Sequence, residues 1–65
     1  MRLTINGEAR ELDVHTVADV VAALALPVER VAVEHNGTIV RRADRATKSV
    51  VDGDRLEIVT LVGGG

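Results

Sequence analysis

The chain contains no cysteine, no phenylalanine, no tyrosine and no tryptophan. Without cysteine there is no disulfide, no thiolate metal site and no thiol nucleophile. Without aromatic rings there is no stacking platform for single-stranded nucleic acid. Lysine occurs once, and with seven arginines it is outnumbered by ten carboxylates, for a formal net charge of −2. No basic run appears, so nucleic acid is not an expected partner. No apolar stretch approaches the roughly 20 residues that a membrane span needs. The opening "MRLTINGEAR" carries no secretory apolar region. A soluble, cytoplasmic protein is the expectation, with no membrane association.

What remains is aliphatic. The 65 residues make one small domain, and twelve of them are valine. Valine favours the pleated, half-buried surface of a sheet. A chain this short buries only about 60% of the surface its unfolded form exposes, so its core has little to spare.

The order of elements follows from local pattern. "MRLTIN" alternates, with Met1, Leu3 and Ile5 on one side and Arg2 and Thr4 on the other, the period of a strand. Asn6-Gly7 then signals a type I′ turn, in which both central residues need positive φ. "EARELDV" returns as a second strand with Leu12 and Val14 facing inward. Thr16 and Asp19 form an acidic variant of the capping box. Val17, Val20, Val21 and Leu24 behind them share one helical face, and Pro27 marks the helix exit. "RVAVEHNGTIV" gives a third strand, a turn at Asn36-Gly37 and a short fourth strand. "RRADRATKS" reads as polar and irregular. Asp52-Gly53-Asp54 makes a turn before the last strand, in which Leu56 and Ile58 face the core.

The order is ββαβ(β)β, or ββαββ without the short strand. One helix must cover one face of a mixed sheet, and the last strand lies most naturally in the middle, parallel to the first. The fold class is α+β. The domain spans residues 1–62, and Gly63, Gly64 and Gly65 form a flexible tail.

Few internal groups invite chemistry. His15 and His35 lie far apart, without metal-ligand spacing, and read as surface or turn residues. Asp52 and Asp54 bracket a glycine and read as turn residues. Arg41, Arg42 and Arg45 form a modest basic cluster, either a solvated face or a docking patch for an acidic partner. No metal site and no bound cofactor are expected.

The tail has two readings. Ordering three glycine backbones costs on the order of 3–6 kcal/mol and brings no side-chain packing. The run is therefore a frayed end, or an arm that enters a narrow channel in a partner. A glycine arm is thin, takes any φ/ψ and leaves its terminal carboxylate open, so the reactive group would be that of Gly65. Val59 and Leu61, on the outward side of the last strand, would then form a contact patch just before the arm.

"DGDRLEIVTLVGGG" (Asp52 to Gly65), with "VAVEHNG" and Val40-x-Arg42 upstream, resembles the ThiS-type sulfur carriers of thiamine thiazole biosynthesis. The likeness covers essentially the whole chain. It implies a ubiquitin-like β-grasp fold and a co-substrate rather than an enzyme. In such a carrier an E1-like adenylyltransferase uses ATP and magnesium to adenylate the terminal carboxylate, here that of Gly65. A sulfur donor such as a cysteine desulfurase then displaces AMP, and the resulting thiocarboxylate gives its sulfur to thiazole synthase. Gly63, Gly64 and Gly65 would enter the partners' active sites, and Val59, Leu61 and Arg42 would dock the body. Three positions depart from the pattern: Arg41 replaces a usual proline, Arg45 a usual tryptophan, and Leu61 a common aromatic residue. Two alternatives share the activated tail. One is a carrier for another product, of the molybdopterin synthase small-subunit or cysteine-biosynthesis type. The other is a ubiquitin-like modifier joined to amines.

Overall fold

The computed structural model describes residues 1–62; the glycine tail, 63–65, lies outside the described residues. Five strands and one helix follow in the order β1 (Arg2–Ile5), β2 (Glu8–Glu11), α1 (Val17–Ala23), β3 (Val31–His35), β4 (Thr38–Val40) and β5 (Arg55–Thr60). The short fourth strand is therefore a full member of the sheet. Two 3₁₀ turns, Val28–Arg30 and Arg42–Asp44, sit on either side of the β3–β4 hairpin.

The sheet order is β2-β1-β5-β3-β4. The last strand is central, parallel to β1 and antiparallel to β3, as the element order suggested. Both hairpins close on Asn-Gly: φ is 51° and 83° at Asn6 and Gly7, and 50° and 87° at Asn36 and Gly37. These positive values are what a type I′ turn requires, and the turn's twist matches that of the strands. Asn6 does a second job. Its side-chain amide donates to the Ile58 carbonyl at 2.9 Å and accepts the Ile58 N–H at 2.7 Å, extending the β1–β5 ladder past the end of β1.

The helix starts as its capping box dictates. The Thr16 hydroxyl accepts the Asp19 N–H at 3.1 Å, and the Asp19 carboxylate accepts the Thr16 N–H at 3.0 Å. Asp19 also accepts the His15 N–H, and these two backbone donors hold its carboxyl below the usual aspartate range. Val17, Val20 and Val21 pack into a core with Leu3, Val33 and Leu56, all essentially without solvent contact. The alternation along β5 puts Leu56 and Ile58 into that core.

Two expectations need correction. The helix does not run to Pro27. It ends at Ala23, where Ala25 turns left-handed at φ 55°. The Ala25 N–H donates to the Ala22 carbonyl and the Leu26 N–H to the Val21 carbonyl, the paired bonds of a Schellman ending. Strand β2 is shorter than "EARELDV", and all four of its residues are exposed. Arg10 and Glu8 stand opposite the buried Leu3 and Ile5, at an edge where they remain exposed to solvent. Leu12 and Val14 turn inward only after the strand has ended. Charge on such an edge discourages pairing with other chains.

Candidate functional site

Strand β5 sorts its side chains by parity. With Leu56 and Ile58 inside, Val59 and Leu61 are each 55% exposed. Val59 pairs across the sheet with Ala32 of β3, so the apolar surface continues onto the neighbouring strand. Val62 follows, almost fully solvent-accessible. Further along the same face, Glu34 and Glu57 stand directly opposite one another. They line an open groove of about 420 Å³ with Asn36, Gly37 and Arg55. Facing carboxylates repel, so this end of the face is acidic and hydrated while the end nearer the tail is apolar.

The last strand is tied down until its very end. Beyond the β3–β5 ladder, the Leu61 N–H donates to the Arg30 carbonyl in the loop that precedes β3. Arg42 is exposed, with its guanidinium 4.0 Å from Glu29. Glu29 belongs to the 3₁₀ turn that ends at Arg30, whose carbonyl accepts the Leu61 N–H. The structure thus places Val59 and Leu61 on one open face, while the Arg42 side chain is directed to Glu29 of the Val28–Arg30 turn. Gly63, Gly64 and Gly65, the proposed arm, lie outside the described residues.

Three polar residues were misread from sequence. His35 is not a surface or turn histidine; it is buried, with Nε2 2.7 Å from Asp54 Oδ2. An ionised carboxylate only accepts, so Nε2 carries the proton in this pair. Asp54 is more than a turn residue. Its carboxylate also accepts the Val51 N–H at 2.9 Å and the Asn36 side-chain N–H at 3.1 Å. Burial by itself would raise the Asp54 carboxyl, but the Val51, His35 and Asn36 hydrogen bonds outweigh it and hold it below the usual range. The alternation Val31, Val33, His35 was the available signal, since it places the histidine on the inward side.

Arg45 is the third. It is 5% exposed, whereas Arg41 and Arg42 are exposed, so the arginine cluster divides between core and surface. Its guanidinium donates to the Val28 carbonyl at 3.0 Å and the Val31 carbonyl at 2.7 Å. Nothing in the local sequence marks it. Among the described residues no group of three His, Cys, Asp or Glu side chains could hold a metal ion, and no helix is long and apolar enough to cross a membrane.

A mixed sheet with the last strand between the first and third, and one helix packed on it, defines a ubiquitin-like β-grasp protein. The ThiS family model matches residues 3–65, and the chain belongs to that family. The crystal structure of the thiamine biosynthesis protein (ThiS) from Geobacter metallireducens is similar over the whole of both chains, with 35% identity and a TM-score of 0.85. A solution structure of a thiamine biosynthesis protein from the same organism gives 35% identity and a TM-score of 0.82, covering all of this chain and 88% of that one. A thiazole synthase of Paramagnetospirillum magneticum is 44% identical over 66 residues. All of this chain is matched there, but it spans only 20% of that protein's length.

Proposed function

We propose that this chain is a sulfur carrier whose working group is the Gly65 carboxylate. The observation that carries the reading is continuity. The family match runs to residue 65, and the strand leading there is the central one, with Val59 and Leu61 turned outward. A carboxylate is a poor electrophile. An E1-like adenylyltransferase, using ATP and magnesium, joins it to AMP and expels pyrophosphate. The terminal sulfur of a persulfide, charged by a desulfurase, then attacks the acyl carbon and displaces AMP, a good leaving group, to give an acyl disulfide on Gly65. A thiol supplies the two electrons that cleave its S–S bond, leaving a thiocarboxylate on Gly65 and a disulfide as the oxidised product. The body docks through Val59, Leu61 and Arg42, while Gly63, Gly64 and Gly65 thread the active site. Docking of a folded body offsets the cost of ordering the arm.

Thiazole synthase is the proposed acceptor, supported by the relative that bears that name and matches all of this chain. The protein is then a recycled co-substrate of the cytoplasm, not a catalyst. No chemical group beyond the carboxylate is asked of this chain.

Intact mass tests the reading. The protein is incubated with its cognate adenylating enzyme, ATP, magnesium and a sulfur source. Replacement of one oxygen by sulfur is the expected product. A plain carboxylate accompanied by lysine conjugates would instead identify a protein modifier. The buried core runs from Leu3 to Ile58. Removing Gly64 and Gly65 should therefore abolish the product and leave the thermal midpoint unchanged.

A further inference from the structure

Among the described residues Arg45 is a buried cation without a carboxylate within ion-pair distance. Among the described residues its Nε finds no hydrogen-bond partner. A buried charge held only by neutral acceptors is costly, and an apolar side chain of similar volume would fill the same space. What an apolar side chain would not do is hold two carbonyls at once. Nη1 donates to Val28 and Nη2 to Val31. Those residues flank Arg30, whose own carbonyl accepts the Leu61 N–H. One rigid fork therefore grips the chain on both sides of the peptide that anchors the end of the central strand.

The backbone of Arg45 is itself fixed. Its carbonyl accepts the Ala18 N–H in the first turn of α1, and its own N–H donates to the Arg42 carbonyl. The clamp thus joins the start of the helix, the 3₁₀ turn at Arg42–Asp44 and the loop under Leu61. We propose that Arg45 is a positioning residue: it sets where, and in which direction, the arm leaves the domain relative to the Val59–Leu61 face. This rests on the sulfur-carrier reading. A carboxylate on an arm reacts efficiently only when docking of the body delivers it to the reacting atom, and a misplacement of about 1 Å can cost on the order of a hundredfold in rate. An aromatic or aliphatic residue at position 45 could support the same loop by bulk. Only the guanidinium fixes both carbonyls.

Two variants test it. Arg45→Met keeps the long stem and removes every donor; Arg45→Lys keeps the charge but not the planar fork. The first readout is amide hydrogen exchange by NMR, comparing Leu61 with Ile58 in the same chain. In Arg45→Met, protection at Leu61 should fall about tenfold relative to Ile58, the value of roughly one hydrogen bond. Arg45→Lys should recover part of it. The second readout is ATP–pyrophosphate exchange by the cognate adenylating enzyme. There kcat should fall about tenfold, with KM for the carrier within twofold of the parent, because the docking face is intact.

Equal loss of protection at Leu61 and Ile58 would overturn the proposal, since Arg45 would then serve the fold as a whole. So would an unchanged Leu61, an unchanged kcat, or failure of both variants to fold. If the parent protein itself supports no pyrophosphate exchange, the sulfur-carrier reading fails, while the exchange ratio still judges the clamp.

Discussion

Replacing Asp54 with alanine should remove a large share of the domain's stability. The carboxylate accepts hydrogen bonds from His35 Nε2, the Val51 N–H and the Asn36 side chain. Asn36 is exposed, and its freed N–H can turn to water. His35 Nε2 and the Val51 N–H would be stranded in a partly or wholly buried setting. Each stranded donor costs about 1–3 kcal/mol, so the two in Asp54→Ala should cost about 2–6 kcal/mol. A domain of this size has roughly 3–10 kcal/mol in total. The thermal midpoint should fall by at least about 10 °C. With no tryptophan or tyrosine in the chain, urea unfolding is followed by far-ultraviolet circular dichroism. The midpoint should drop while the slope stays constant. Acidification adds a second signature. The folded pKa of Asp54 lies below the ordinary 3.8, so its contribution is complete above that value and is lost as pH falls through the folded pKa. Asp54→Ala should lack that part of the acid-side loss, retaining the part due to Asp19. A change in unfolding free energy under about 0.5 kcal/mol would refute the reading of Asp54 as the acceptor that ties the end of β3 to the start of β5.

Ala25→Gly should stabilise the domain by up to about 1 kcal/mol, because Ala25 sits at φ 55°, where an L side chain is strained and glycine is not; a lower thermal midpoint would contradict the Schellman assignment. Val59→Asp and Leu61→Asp change exposed positions, so urea midpoints should hold within about 0.5 kcal/mol. Their KM in the adenylation assay should rise at least about tenfold, since a carboxylate would have to be desolvated against the partner. Unaltered kinetics would place the docking surface elsewhere.

The sheet and helix were legible because their signals are local and agree with one another. Asn6-Gly7 and Asn36-Gly37 fix two hairpins, Thr16 and Asp19 start the helix, and parity along β5 separates Leu56 and Ile58 from Val59 and Leu61. The central place of β5 followed from the need to join two hairpins under one helix. Misreadings arose where the partner is distant in sequence. Asp54 meets His35 19 residues away, and Arg45 reaches Val31 14 residues away. No window of local pattern contains both members of either pair. The helix stop was misplaced because alanine, not glycine, occupies the left-handed position, so Pro27 was the only visible punctuation. The outward face around Val59 was readable from parity, but its acidic end was not, because Glu34 and Glu57 meet only through the β3–β5 register.

Placing the last strand in the middle has a consequence for how the chain is made. Strands β1 and β3 share no ladder and meet only through β5, and Asn6 finds Ile58 across 52 residues. During synthesis both hairpins emerge before the strand that unites them, and an isolated hairpin is at best marginal in water. A chain cut within β5 would leave two unjoined pairs of strands. It would lose its fold and its Val59–Leu61 face together. Such a fragment meets the cell's proteases as unfolded polypeptide and does not persist as a folded domain.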